Sequence, residues 1–329
     1  MTSEANQSVD ISVLVPIKDE CESIVELCEQ LRRVLDGTGR SHEILFIDDG
    51  STDGSKQKLR ELCANDSRVK AVFLRKNFGK SAALQAGFDE IKGDLVFTID
   101  GDLQDDPEEI PKFLDKMVEG YDLVSGWKVD RQDPASKRVP SRLFNFIITK
   151  AFGLALHDFN CGFKCYRREI TQELDLYGEL HRFIPVIAHS LGYRVTEVPV
   201  RHHSRQFGKS KYGASRLLRG FFDFQTVMLT TRYFFRPLHF FGLIGLVTVA
   251  LGTIILAYLS ILWFMGTPID ARPLFFLGIF LSILGVQVTC TGLVAEMIAK
   301  IASRRGQTYS VAERIGLDHD RPSASERLS

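Results

Sequence analysis

The chain has 329 residues, 45% hydrophobic and 25% charged, with 41 basic side chains against 41 acidic ones and a pI near 7.1. That length and apolar content suit one large domain or two ordinary ones and exclude a disordered chain, while zero net charge argues against a general polyanion binder without excluding local patches of one sign. Six cysteines (Cys21, Cys28, Cys63, Cys161, Cys165 and Cys290) are spread without a dense framework, and no charged-then-apolar leader opens the sequence, so they read as reduced cytosolic packing thiols.

In chain order, Ile11 to Pro16 is a short β-branched run, followed by a helical pattern through Ile24, Leu27, Leu31 and Leu35. The cycle then repeats. Glu43 to Asp49 predicts a second strand, Ser55 to Ala64 a helix, Val69 to Leu74 a third strand, Ala82 to Ile91 a helix and Asp94 to Asp100 a fourth strand. Strands alternating with helices predict an α/β fold with a mostly parallel sheet and ligands at the carboxyl ends of the strands. Acidic side chains gather there: Asp19-Glu20, Asp48-Asp49 and Asp100 with Asp102 each follow an apolar strand.

From Gly213 to Phe235 aromatics mix with Arg216, Arg219 and Arg232, a composition that suits interfacial amphipathic helices. Leu238 to Met265 and Pro273 to Ala295 carry no Asp, Glu, Lys or Arg, and each exceeds the roughly 20 residues that cross a bilayer. The predicted organisation is a cytosolic catalytic domain over 1–212, interfacial helices over 213–236, two transmembrane helices within 237–302 (about 238–265 and 273–299), and a flexible cytosolic tail over 303–329. The loop from Gly266 to Arg272 is short, and the outer flanks carry Arg232, Arg236, Lys300, Arg304 and Arg305. The expectation is an integral membrane protein, of a bacterial inner membrane, with both termini and the catalytic domain in the cytosol.

Asp100-Gly101-Asp102-Leu103-Gln104-Asp105-Asp106-Pro107 packs four carboxylates and an amide oxygen into one loop, a cluster that repels itself unless a cation is present. Hard oxygen ligands suit Mg²⁺ or Mn²⁺, which in a nucleotide enzyme also bind diphosphate oxygens. The plainer alternative is a solvated acidic turn with Asp105 or Asp106 capping the helix after Pro107. Asp48 to Gly54 is rich in turn residues and is weak evidence alone, but it joins Pro16 to Glu20 and the Asp100 cluster in a three-part site.

On these motifs the chain resembles family 2 glycosyltransferases of the GT-A type, in particular dolichol-phosphate mannose synthases and bacterial polyprenyl-phosphate glucosyltransferases. The likeness spans Ile11 to Ala302. It includes Val15 to Glu20, Asp48 to Gly54, Arg75 to Lys80, Asp100 to Asp105, Gly162-Phe163-Lys164 after Asp158, Phe207 to Tyr212 and the paired spans. The pattern usually has Asn where Asp19 stands and often Ser-Arg where Trp127-Lys128 stands.

The resemblance implies inverting, metal-dependent transfer of a hexose, glucose from UDP-glucose first, to polyprenyl phosphate. Mannose from GDP-mannose and a modified amino sugar are the alternatives. It also implies that Pro16, Glu20, Asp49, Ser51, Lys80 and Asp100 bind the nucleotide, and that Asp100, Asp102 and Gln104 surround Mg²⁺ or Mn²⁺. Asp102 and Asp158 are the catalytic candidates. A lipid monophosphate hardly needs a general base, its second pKa being about 6, so Asp158 reads as a positioning carboxylate.

The acceptor phosphate falls to basic segments near the membrane. Lys128, Arg131, Arg138 and Ser141 lie in one, and Arg205, Lys209 and Lys211 in the other, where seven Arg or Lys residues accompany the single acid Glu197 between Arg194 and Arg219. Attraction to anionic head groups serves the second segment equally well. The expected partners are a nucleotide-diphosphate sugar, a polyprenyl phosphate lipid and the membrane, with room for a homo-oligomer and no nucleic acid.

A processive polysaccharide synthase normally shows Gln-x-x-Arg-Trp near the membrane, and neither Trp127 nor Trp263 lies in such a motif. A non-catalytic membrane scaffold would be expected to have lost the metal carboxylates. A dinucleotide enzyme is disfavoured because no Gly-x-Gly-x-x-Gly follows the first strand.

Overall fold

A computed structural model of the chain describes residues 9–129, 145, 148–203, 226–228, 237–266 and 273–303. The chain divides into two compact units, 1–227 and 228–329.

The first unit is built on a seven-stranded sheet. Its strands are β1 (Ile11–Ile17), β2 (His42–Asp48), β3 (Val69–Phe73), β4 (Leu95–Thr98), β5 (Leu123–Lys128), β6 (Lys164–Arg167) and β7 (Val195–Val200). Their spatial order is β3-β2-β1-β4-β6-β5-β7, and every adjacent pair is parallel except those that β6 makes with β4 and β5. The parallel half matches the alternating sequence pattern. Reversed β6 was not legible, because Lys164-Cys165-Tyr166-Arg167 is too short and polar to announce a strand and gains its place from pairing on both edges.

Strand alternation sends side chains to two cores. On β1, Ile11, Val13, Val15 and Ile17 join one cluster and Leu14 the other; on β2, Ile44 and Phe46 oppose Leu45 and Ile47. Helices α1 (Ile24–Gly37), α2 (Ser55–Asn65) and α4 (Ile110–Val118) cover the first face, bringing Leu27, Leu31, Leu59, Phe113 and Met117. Helices α3 (Lys80–Phe88), α5 (Arg168–Glu173) and α6 (Ile184–Ser190) cover the second with Leu84, Phe88, Ile170 and Val186. Both faces are buried, as a parallel sheet requires. Helix α3 starts at Lys80, two residues before the expected Ala82, because Gly79 at φ 94° serves as its N-cap.

The second unit contains α7 (Pro237–Phe264) and α8 (Pro273–Ser303), each long and apolar enough to cross a membrane. They run antiparallel and touch through glycines. A Cβ at Gly245 would lie 2.6 Å from the Gly285 carbonyl oxygen, and one at Gly252 would lie 2.8 Å from the Gly278 carbonyl oxygen. Small residues are the means by which helices associate where lipid removes the hydrophobic drive. The expected interfacial helices at 213–236 lie outside the described residues except for 226–228, as does the tail beyond Ser303.

Gly285→Leu should force α7 and α8 apart at a cost of about 1–3 kcal/mol, visible as an earlier midpoint in SDS-driven unfolding. An unchanged midpoint would show that the close contact is not made.

Candidate active site

The carboxyl ends of β1, β2 and β4 carry the acidic loops, and backbone amides lock these loops to one another. After β1, Asp19 adopts φ 51°; its N–H donates to Ser51 Oγ at 2.8 Å, and its Oδ1 accepts the Thr52 N–H at 2.9 Å. The Glu20 N–H donates to Ser55 Oγ at 3.2 Å and the Cys21 N–H to Asp53 Oδ2 at 2.9 Å. Pro16 sits on β1 in register with Ile47. Ser51 is buried, and its N–H donates to Asp48 Oδ1 at 3.0 Å.

Asp49 accepts from the amides of Phe78 at 2.7 Å and Gly79 at 2.9 Å. These bonds pull the 75–79 loop onto the end of β2. Gly50 makes the approach feasible: its φ is 71°, and a Cβ there would sit 2.6 Å from the Lys76 carbonyl carbon. The next residue, Lys80, starts α3 and donates Nζ to Asp100 Oδ1. The motifs around Asp49, Lys80 and Asp100 therefore form one connected unit.

Gly162 backs the same carboxylate closely, since a Cβ on it would lie 2.6 Å from Asp100 Oδ2. Its carbonyl accepts from Thr98 Oγ1 at 2.8 Å, fixing the chain beside β4. Asp102 is nearly buried, and its Oδ1 accepts the Gln104 N–H at 3.3 Å across Leu103, which adopts φ 58°. Gln104 is held at its backbone oxygen by the His203 N–H at 2.8 Å, with its amide nitrogen 3.4 Å from the His203 carbonyl.

Asp105 and Asp106 take separate roles. Asp106 caps the turn after it, accepting from the Glu108 N–H at 3.0 Å, as the capping alternative anticipated for one of the two. Asp105 is buried, 2.8 Å from Lys128 Nζ and 3.5 Å from His202 Nδ1. Burial pushes the Asp105 carboxyl up, but the Lys128 ammonium and His202 outweigh it and hold it well below the carboxylate range. Burial likewise opposes the charged Lys128, and Asp105 reverses that, raising the lysine above its ordinary value. Lys128, expected at the acceptor phosphate, thus has its ammonium on Asp105 in this structure.

Asp158 is buried and accepts the Asn160 N–H at 3.0 Å. Next to it, the Cys161 thiol is pushed up to about 12 by burial, with Lys128, Asp105, Asp158 and Lys164 as its charged neighbours. Buried and with its pKa raised, it has the character of a packing thiol. Lys164 is also buried; its Nζ donates to the Cys161 carbonyl, and burial lowers its pKa against the pull of Asp158 and Asp100. Sequence reasoning missed this role, although Lys164 stood within a quoted motif. Of the expected site residues, Arg131, Arg138, Ser141, Arg205, Lys209 and Lys211 lie outside the described residues.

Among the described residues no group of three or more His, Cys, Asp or Glu side chains is arranged to hold a metal. Asp100, Asp102 and Gln104 lie in the one loop that follows β4, and their oxygens are hard donors of the kind that suits Mg²⁺ or Mn²⁺.

The profile of glycosyl transferase family 2 matches residues 12–175. Dodecaprenyl-phosphate galacturonate synthase of Rhizobium johnstonii is 39% identical over 91% of this chain and 90% of its own length. Undecaprenyl-phosphate 4-deoxy-4-formamido-L-arabinose transferase of Pseudomonas aeruginosa is 37% identical over 89% of this chain and 86% of its own. In fold, the chain is similar to mannosyl-3-phosphoglycerate synthase from Rubrobacter xylanophilus, with TM-score 0.54, 15% identity and coverage of 68% of this chain and 75% of that one. Glucosyl-3-phosphoglycerate synthase from Mycobacterium tuberculosis gives TM-score 0.51 at 21% identity, over 68% and 80%.

Lys128→Ala leaves a buried carboxylate at Asp105 without its ammonium and should cost about 3–5 kcal/mol in denaturant unfolding at neutral pH. Because the folded pKa of Asp105 is depressed, its contribution is fully present above the ordinary value of 3.8 and is lost as pH falls below it. The difference between wild type and variant should therefore narrow only in strong acid; a difference unchanged there would contradict the pairing.

Proposed function

Because the chain belongs to glycosyl transferase family 2 and is a glycosyltransferase of GT-A fold, we propose that it transfers a sugar, with inversion, from a nucleotide-diphosphate donor to the phosphate of a polyprenyl lipid. The observation that carries this reading is the linked acidic edge, Asp49 to the 78–79 amides, Lys80 to Asp100, and Asp102 beside it, in a chain that matches two polyprenyl-phosphate sugar transferases along nearly its whole length. The apolar helices α7 and α8 are consistent with a membrane-embedded enzyme whose lipid acceptor shares its bilayer. On this reading both termini and the catalytic unit face the cytosol of a bacterial inner membrane.

The lipid phosphate oxygen attacks the anomeric carbon, a new carbon–oxygen bond forms, and the bond to the diphosphate breaks with its electron pair leaving on the nucleoside diphosphate. The phosphate arrives already deprotonated, so the protein's task is orientation and charge. Asp49 and Ser51 serve the nucleoside through loop shape, as their side chains already hold backbone amides. Pro16 and Glu20 sit beside them, and Lys80 sits on Asp100. Asp158 positions the reacting groups. Asp100, Asp102 and Gln104 would hold Mg²⁺ or Mn²⁺, and the cation would offset charge on the departing diphosphate. Arg131, Arg138, Ser141, Arg205, Lys209 and Lys211 receive the acceptor phosphate, whereas Lys128 is committed to Asp105.

Donor identity follows the relatives' names more closely than the expected glucose. Galacturonate and 4-deoxy-4-formamido-L-arabinose are the sugars of the two relatives, so a uronate or modified amino pentose is favoured over glucose from UDP-glucose or mannose from GDP-mannose. Incubating purified enzyme with a panel of nucleotide sugars and undecaprenyl phosphate, then weighing the lipid product by mass spectrometry, tests donor and acceptor together. A product on the lipid phosphate supports the reading; sugar polymer or free sugar alone contradicts it.

Asp102→Asn should nearly abolish turnover while the fold persists, and excess chelator should do the same to the wild type; full turnover in chelator would refute the cation. Arg205→Ala should lower kcat/KM for lipid on the order of tenfold to a hundredfold, equivalent to a charge-assisted contact of about 1.5–3 kcal/mol. Donor affinity should be unchanged, and the defect should persist in neutral detergent. Normal lipid kinetics there would remove Arg205 from the site.

A further inference from the structure

The residue before Asp158 is fixed at four points although it lies at the surface. The His157 N–H donates to Glu197 Oε2 at 2.8 Å, and its Nδ1 pairs with Glu197 Oε1. Its carbonyl accepts from Asn145 Nδ2 at 2.6 Å. Its ring stacks on Trp127 with centroids 4.1 Å apart and planes 15° apart. All this holds a side chain that the described residues leave 64% exposed, against a Glu197 that is only 14% exposed.

An exposed histidine ordinarily gains little from an ion pair and keeps its rotamer freedom. Here both peptide groups flanking it are pinned, including the one whose nitrogen belongs to Asp158. Glu197 stands on β7 and Trp127 on β5, strands that pair in parallel with Ser125 opposite Glu197, so the anchor is the sheet itself. Trp127 precedes Lys128 on β5, and Lys128 pairs with Asp105. One strand end therefore supports the acidic loop through Lys128 and the Asp158 turn through Trp127.

We infer that His157, clamped by Glu197 and Trp127, is a positioning residue that sets the direction of the Asp158 carboxylate during sugar transfer. The inference rests on the reading given above, in which Asp158 positions the reacting groups. Sequence spacing offered no sign of it, because Trp127, His157 and Glu197 are distant in the chain. Glu197 stood out only as the lone acid in a basic stretch.

The test uses the full-length enzyme in detergent with the donor that gives lipid product, comparing wild type, Glu197→Gln, His157→Ala, the double variant, Trp127→Phe, Trp127→Ala and Asp158→Asn. A misdirected catalytic group lowers the rate without loosening the substrates, so Glu197→Gln and His157→Ala should each lower kcat on the order of tenfold to a hundredfold with donor KM nearly unchanged. The double variant should lose no more than the worse single one, because both remove one clamp. Trp127→Phe should retain activity that Trp127→Ala loses.

Asp158→Asn reads the premise separately. If it keeps wild-type kcat, the role of Asp158 is wrong and the inference falls with it. If Asp158→Asn is impaired while Glu197→Gln and His157→Ala keep wild-type kcat, only the positioning inference is overturned. Losses confined to thermal stability, or additive losses in the double variant, would likewise overturn it in favour of a purely structural surface pair.

Discussion

Six carboxylates, Asp48, Asp49, Asp100, Asp102, Asp105 and Asp158, crowd one edge of a single sheet, and the structure depends on keeping them from repelling one another. Lysines interleaved among them do this. Lys80 lies on Asp100 and Lys128 on buried Asp105; Lys56 is 3.8 Å from Asp48, and Lys164 is buried among Asp158 and Asp100. The buried members, Lys128 with Asp105 and Lys164, lie where water is largely excluded and are the costly ones to break; Lys56 and Lys80 keep part of their hydration. Backbone amides do the rest, with Asp49 gripping two of them and Asp19, Asp53 and Asp106 gripping others.

This arrangement explains how a site rich in acid can receive a polyanionic donor. Asp105 is paired with Lys128, while Lys80 sits on Asp100, two residues before Asp102 in the same loop. Arrival of a diphosphate with its cation would exchange one neutralising partner for another without leaving any carboxylate uncompensated. The acidic cluster is therefore divided: Asp106 closes a turn and Asp105 anchors β5, which leaves Asp100 and Asp102 as the carboxylates proposed for the cation.

Much of this was legible in the sequence because the parallel half of the sheet writes itself in alternating runs. The acids follow β1, β2 and β4 at places such a sheet dictates. The uncharged runs behind α7 and α8 were equally plain. What could not be read was pairing at long range. Nothing local says that Lys128 meets Asp105 instead of a lipid phosphate, that Asp49 spends its oxygens on the 78–79 amides, or that β6 inserts backwards between β4 and β5. The Trp127–His157–Glu197 assembly joins three distant segments and has no periodic signature. Ser51 and Asp49 were identified as nucleotide residues by resemblance, and the structure shows side chains that shape loops.

The proposed cation site of Asp100, Asp102 and Gln104 is incomplete without the donor's diphosphate. Electron paramagnetic resonance of Mn²⁺ titrated into the purified enzyme, without nucleotide and then with UDP or GDP, measures this directly. Binding to the protein alone should be weak, with a marked gain in affinity in the presence of a nucleoside diphosphate that Asp102→Asn abolishes. Tight Mn²⁺ binding without nucleotide, or binding indifferent to it, would show that the diphosphate does not complete the site.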